Sequence, residues 1–318
     1  MTHNQHYNFY ICSCTPDGGL CLCSVDSNGT ILQKDFVSLD SPMYAVESEG
    51  KLYVLLRAPF ENSSESGLIS FDIDNGGKLI NPSEIVSTNG EVACHLCVDN
   101  KNVYIANYIS GSVSKIGSVV VGHIGSGPNL PRQDGPHVHY VGLTPDGKYL
   151  LVSDLGLDSI FVYDKELSFV NSARVPDGHG ARHLVFSEDG KYCFVANELV
   201  STVSAFEYNV GKLTLIDTAR CIPEEFEGDS TAAAIRYLDG RVYVSNRGHN
   251  SIAVLDFEDE KLSMSETFSC GGAGPRDFDF VGEFIVSTNQ DSDNVTVMKN
   301  GKVVSEISVK KPICITKT

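Results

Sequence analysis

Positive charge is scarce in this sequence. Lys and Arg number 24 against 41 Asp and Glu, a formal net charge of −17. Nucleic acids and anionic membranes bind through positive protein surface, so neither is an expected partner. No apolar run approaches the ~18 residues of a membrane-spanning helix. The opening Met1-Thr2-His3-Asn4-Gln5-His6 has neither the basic start nor the apolar stretch of a secretory signal, and a cytoplasmic location is expected. In a reducing cytosol the ten cysteines should be mostly free thiols. Amphipathic helical periodicity of useful length is missing too, which argues against α/β folds.

What is present is a repeat. A short β-rich run ends in Asn or Asp, a polar turn follows, and a Ser-Val type of strand comes next. The clearest copies are Lys101–Asn107 with Gly111–Lys115, Gly147–Asp154 with Ser159–Tyr163, Gly190–Asn197 with Ser201–Phe206, Gly240–Asn246 with Ser251–Leu255, and Gly282–Asn289 with Asn294–Val297. Weaker copies are Phe9–Ser13 with Leu20–Cys23 and Leu52–Leu56 with Leu68–Phe71. The equivalent strand ends, 13, 56, 107, 154, 197, 246 and 289, are spaced by 43, 51, 47, 43, 49 and 43 residues. A period near ~45 fits a four-stranded propeller blade. Asp-Gly turns at 146–147, 189–190 and 239–240 join each innermost strand, at Val138–Leu143, His183–Phe186 and Ala233–Tyr237, to the next. The expected fold is all-β: one seven-bladed β-propeller domain of four-stranded antiparallel blades over residues 1–318. Gly122–Pro136 and Cys221–Ser230 are longer excursions between strands.

In such a blade the start of the innermost strand and the end of the second strand lie at one end, where loops on a rigid scaffold carry function. The residues there are His137, His139, Arg182 and Arg276 opening innermost strands, and Arg57, Tyr108, Asp154, Glu198, Arg247 and Gln290 closing second strands. Arginines gathered at one mouth of an acidic chain suit a small anion, because guanidinium forks bind carboxylate or phosphate bidentately. His139 and Glu198 supply groups able to exchange protons near neutral pH.

Four stretches carry a family resemblance: Gly135-Pro-His-Val-His-Tyr-Val-Gly-Leu-Thr-Pro-Asp-Gly147, Gly178-His-Gly-Ala-Arg-His-Leu-Val-Phe186 with Asn197-Glu198-Leu199, Ser245-Asn-Arg-Gly-His-Asn-Ser-Ile-Ala-Val254, and Gly274-Pro-Arg-Asp-Phe278. With Cys94-His95-Leu-Cys-Val-Asp99, the chain resembles the propeller-type 6-phosphogluconolactonases, a family that also includes fungal muconate-lactonizing enzymes. The resemblance implies a metal-independent, cofactor-free site of one His, two Arg and one Glu around a lactone or its open acid. Position by position these are His139, with His137 the competitor, Arg182, Arg247 and Glu198, with Arg276 matching a further Pro-Arg. The sequence departs from the pattern where Ala234 and Arg236 replace an acidic residue and a His, at Cys12-Ser13-Cys14 in place of Gly-Thr-Tyr, and at Ala93 in place of Pro.

The expected reaction is hydrolysis of 6-phosphoglucono-δ-lactone to 6-phosphogluconate, in the oxidative pentose phosphate route. His139 or Glu198 activates water while the other orients it or relays the proton. Arg182 and Arg247 stabilise the oxyanion, worth ~3–4 kcal/mol per donor. His137, Arg57, Arg276 and Asp154 bind substrate, with Arg57 or Arg276 on the phosphate. A lactonase or lactonizing isomerase for another anionic substrate, and a non-catalytic binding scaffold, are the alternatives. A monomer or weak homo-oligomer is expected. Bland roles compete at several positions. His137 and His139 share a strand face but lack a third metal ligand at clear spacing. Cys94 and Cys97 have zinc-like spacing but read as core thiols. Arg182 has a structural alternative, tying blade five to blade four through Asp154 or Asp177. His179, His183 and His249 read as turn or packing residues. Asn107, Asn246 and Asn289 read as turn caps.

Overall fold

The structure, a computed structural model, describes residues 6–318. It is all-β, a seven-bladed β-propeller of four-stranded antiparallel blades, and the short turn Glu198–Val200 is the one helical element among the described residues. The chain forms two compact units. One runs to Ser87 and resumes at Phe268; the other is Thr88–Thr267.

The second unit holds blades three to six. Their first strands are Ala93–Asp99, Val138–Leu143, Ala181–Phe186 and Thr231–Leu238, and their second strands are Asn102–Asn107, Leu150–Asp154, Tyr192–Asn197 and Arg241–Arg247. The first unit holds blades two and seven, with first strands Pro42–Ser48 and Pro275–Val281 and second strands Lys51–Leu56 and Phe284–Asn289. It also holds blade one, which is not contiguous in sequence. There the C-terminal Pro312–Lys317 supplies the first strand and pairs with His6–Ser13, beside Gly19–Asp26 and Ile31–Ser38. The blade-two sheet takes a fifth strand, Val86–Glu91, in which the first stretch of this unit ends.

Burial explains the sequence pattern. The second strand of blade four is buried at every residue, so it reads as a continuous apolar run rather than an alternation. Fourth strands such as Phe169–Arg174 alternate between exposed and half-buried. The cores lie between sheet faces within each unit. Phe194, for example, is fully buried and stacks on Tyr237 at 5.5 Å between blades five and six. All ten cysteines are free thiols, eight of them buried.

The recurring Asn has a physical reason that the turn-cap expectation captures only in part. Asn107 Nδ2 donates to Ser112 Oγ and Ser114 Oγ, and Asn197 Nδ2 donates to Thr202 Oγ1 and Ser204 Oγ. The side chain thus clasps the hydroxyls of the third strand, which is why Asn is followed by the Ser-Val-Ser pattern. The Asp-Gly turns are of two kinds. Asp239 and Gly240 both take positive φ, as a two-residue hairpin turn requires. At 146–147 and 189–190 only the glycine does. There the aspartate accepts hydrogen bonds from Thr144 Oγ1 or Ser187 Oγ.

Every first strand carries a β-bulge near its start, where it has one residue more than the second strand it pairs with. In blade four Val138 faces Asp154 and Tyr140 faces Ser153, leaving His139 extra. In blade five Ala181 faces Asn197 and Leu184 faces Val195, a stretch that holds Arg182 and His183. Blade six does the same around Ala233 and Ala234, and blade seven around Arg276. Such bulges re-aim a side chain out of the regular pleat.

Candidate active site

Glu198 is the centre of the polar cluster in the second unit. It opens the turn Glu198–Val200, directly after the second strand of blade five. Its amide donates to Gly180 O at 2.8 Å, and Leu199 N donates to His179 O at 2.9 Å. Gly180 has φ +73, and a Cβ there would meet the Leu199 side chain at 2.6 Å, so glycine is required for this close support.

Three guanidinium groups share the Glu198 carboxylate. Arg132 Nη2 lies 2.6 Å from Oε1, while Arg182 Nε and Arg247 Nη2 lie 2.9 and 3.0 Å from Oε2. His139 Nε2 is 4.0 Å from the same Oε2. Glu198 and Arg182 are buried, whereas Arg132 is partly exposed and Arg247 intermediate. Burial alone would raise the Glu198 carboxyl, but Arg247, Arg182, His139 and Arg132 outweigh it and hold it well below the usual carboxylate range.

The alanine run of blade six has a function in this cluster. Arg182 Nη1 donates to Ala233 O at 2.7 Å and Arg247 Nη2 to Ala232 O at 3.3 Å. The bulge turns these carbonyls toward the arginines. Arg182 therefore binds Glu198 and blade six, while Asp177 pairs with Arg174 instead. Gly248, next to Arg247, has φ +93, and a Cβ on it would meet Asp229 O at 2.1 Å.

His139 is buried and its ring meets Tyr108 edge-on at 5.4 Å and His183 at 5.2 Å, with Cys94 Sγ 3.8 Å from Nδ1. His137 stacks on Tyr108 at 4.6 Å, its Nδ1 3.2 Å from Tyr108 O and its Nε2 3.3 Å from Asp134 Oδ1. Behind them, His95 lies 5.1 Å from His183. Burial, with Arg182 and Arg236 nearby, pushes the His95 imidazole down to about 3. His183 is pushed well below its ordinary value by burial and by Arg182, His95, His139 and Arg236. Among the described residues no group of three or more His, Cys, Asp and Glu is arranged to hold a metal.

The structure thus brings together His139, Arg182, Glu198 and Arg247, with His137 close by across Tyr108. Asp154 stands one step earlier in the repeat, at the Asn clasp position. It is fully buried, with Oδ2 2.7 Å from His123 Nδ1 and Oδ1 accepting the His137 amide at 2.8 Å. Arg57 and Arg276 belong to the first unit and line a cavity there.

Arg132 is a member of the cluster that the repeat does not reveal. It sits in the excursion before the first strand of blade four, and the loop is pinned by its neighbour. Buried Gln133 Nε2 donates to Leu155 O and to Asp158 Oδ1. Asp158 also accepts the amides of Gly178 and Gly180, both at 2.7 Å, so one aspartate holds both the Arg132 loop and the support beneath Glu198. The length of the 122–136 excursion was the sole sequence signal for this.

The sequence profile of the family described as "Lactonase, 7-bladed beta-propeller" matches residues 8–316. An uncharacterized Staphylococcus aureus protein is 31% identical over 95% of each chain. Among solved structures, a Bacteroides fragilis protein given provisionally as a 6-phosphogluconolactonase is 26% identical, with 98% of each chain covered and a TM-score of 0.87. The periplasmic gluconolactonase of Pseudomonas aeruginosa is 24% identical, with 99% of each chain covered and a TM-score of 0.89.

Proposed function

Since the chain belongs to the seven-bladed β-propeller lactonases, we propose that it hydrolyses 6-phosphoglucono-δ-lactone to 6-phosphogluconate. The observation that carries this reading is the Glu198 cluster: three guanidinium groups on one buried carboxylate, beside the imidazole of His139. The cluster keeps a positive excess inside a strongly acidic protein, and that excess suits an anionic substrate and an oxyanion. The likeness to the Bacteroides fragilis protein supports the choice of lactone.

Of the two groups able to take a proton from water, Glu198 is the weaker base, because its neighbours hold it ionised. His139 is therefore the base. Water oxygen bonds to the lactone carbonyl carbon, its proton goes to His139, and the carbonyl π pair moves onto oxygen. Arg182 and Arg247 hold that oxyanion. Collapse re-forms the carbonyl and breaks the bond to the ring oxygen, which takes the proton back from His139. General acid–base help of this kind adds on the order of 10²–10⁴-fold. Glu198 aligns the arginines and faces the imidazolium as it forms. Tyr108 and His137 wall the site. Asp154 acts at one remove, holding the His137 amide. Arg132, partly exposed on its loop, covers Glu198 from the solvent side.

The test is the hydrolysis rate of freshly generated 6-phosphoglucono-δ-lactone, corrected for spontaneous opening, beside glucono-δ-lactone. Acceleration of the phosphorylated lactone alone is expected. Equal acceleration of both would remove the phosphate from the reading, and acceleration of neither would overturn it.

A further inference from the structure

The two repeat positions that build the Glu198 cluster carry different side chains in blades one, two and seven. At the bulges stand Ile313, Met43 and Arg276; directly after the second strands stand Cys14, Arg57 and Gln290. With Lys311, which precedes the first strand of blade one, these residues line a cavity of about 120 Å³ in the first unit. Three cations therefore face one cavity whose lining contains no carboxylate. In the second unit the position after the second strand of blade five is Glu198, which three arginines share; here the equivalent positions carry Cys14, Arg57 and Gln290.

Hydrogen bonds tie the lining residues to one another. Arg276 Nη1 donates to Gln290 Oε1 at 3.4 Å, Lys311 Nζ donates to Gln290 O at 3.3 Å, and Cys14 Sγ donates to Met43 Sδ at 3.4 Å. Burial pushes the Cys14 thiol up while Arg57 and Arg276 pull it back, and the net direction is up. The thiol therefore stays neutral at pH 7 and leaves the cavity charge to the three cations. Asp293 takes the Lys311 backbone amide and Asp40 acts on Cys14, but neither lines the cavity. Buried Met43 and Ile313 supply an apolar floor. At about 120 Å³ the cavity has room for a tetrahedral oxyanion.

We infer that this cavity is an anion site for a phosphate-type oxyanion, gripped by the guanidinium groups of Arg57 and Arg276 and the ammonium of Lys311. The same chemistry admits a substrate's phosphate ester or a free phosphate ion.

Calorimetric titration of the whole protein with inorganic phosphate tests this without any turnover, so the result stands whether or not lactone hydrolysis is found. Saturable binding is expected, weakened by about tenfold or more in Arg57→Gln and in Arg276→Gln. Absence of saturable binding at millimolar phosphate, or binding that both substitutions leave unchanged, would overturn the inference. A tungstate soak of wild-type crystals keeps the test decisive if a variant fails to fold. Anomalous density among Arg57, Arg276 and Lys311 is expected, and its absence there overturns the site. Kinetics then separate the two sources. A rise in KM for the phosphorylated lactone alone in Arg57→Gln identifies the substrate's phosphate. Lost calorimetric binding with an unchanged ratio of KM values identifies the free ion.

Discussion

A carboxylate shared by three guanidinium groups has to stay charged, and taking its charge away leaves those groups facing one another. Glu198→Gln is therefore expected to destabilise the fold by about 3–5 kcal/mol, the cost of breaking a buried pair from one side, read as a lower Tm, and to lower kcat. Because the folded carboxyl sits below its unfolded value, the stability it lends is fully present above the ordinary carboxylate range. It is lost as pH falls through the depressed folded value. The buried histidines act in a higher window. His95 and His183 are depressed in the folded state, so the unfolded chain binds protons first as pH drops below about 6.5. Tm should be flat above that pH and fall below it, and His95→Asn should make the fall shallower in a thermal melt series; a slope identical to wild type would contradict the assignment. Arg182→Ala should cost about 10²–10³ in kcat as a lost oxyanion donor, and Arg182→Lys should recover little, since a point charge cannot replace both the Glu198 and Ala233 contacts. His139, Arg182, Glu198 and Arg247 were legible because each occupies a repeated position. Asp154 stands one step out of register with Glu198, at the clasp position; a strand ending in Asp looks alike in sequence whether its carboxylate faces the mouth or clasps the backbone. Arg132 was illegible because its reach to Glu198 depends on Gln133 and Asp158 folding a non-repetitive loop.

Strand ends were readable at the level of elements because the terminal Asn or Asp is chemically required there. The second strands end at 13, 56, 107, 154, 197 and 289 as expected, and the one in blade six runs a single residue further, to Arg247. The bulges were not readable. They arise from a count mismatch between paired strands, which no local motif announces. Their importance can be tested in blade six, where deleting Ala234 would leave equal numbers of residues on the two strands. Ala232 and Ala233 would then turn their carbonyls away from Arg247 and Arg182. The expected outcome is a folded protein, by circular dichroism, with kcat reduced by about 10²-fold, the scale of misplacing a catalytic group by an ångström. Wild-type kcat in that variant would show that the bulge does not aim the arginines.

For the whole molecule, the repeat and the all-β class followed from the sequence, whereas the composition of blade one did not. The run Ile313-Cys-Ile-Thr316 looks like any half-buried strand, and its partner is fixed only by where the chain's two ends meet. Removing Pro312–Lys317 strips the first strand from His6–Ser13 and leaves that edge unpaired. Loss of a cooperative melt is expected for that truncation, and a wild-type Tm would refute the structural role assigned to the strand. The same pairing has a consequence for biosynthesis. Strands His6–Ser38 emerge from the ribosome about 270 residues before the segment that completes their sheet. At ~5–20 residues per second they wait roughly 14–54 s with one edge open, so each nascent copy passes through an interval in which chaperone access decides between completion and pairing with a neighbour.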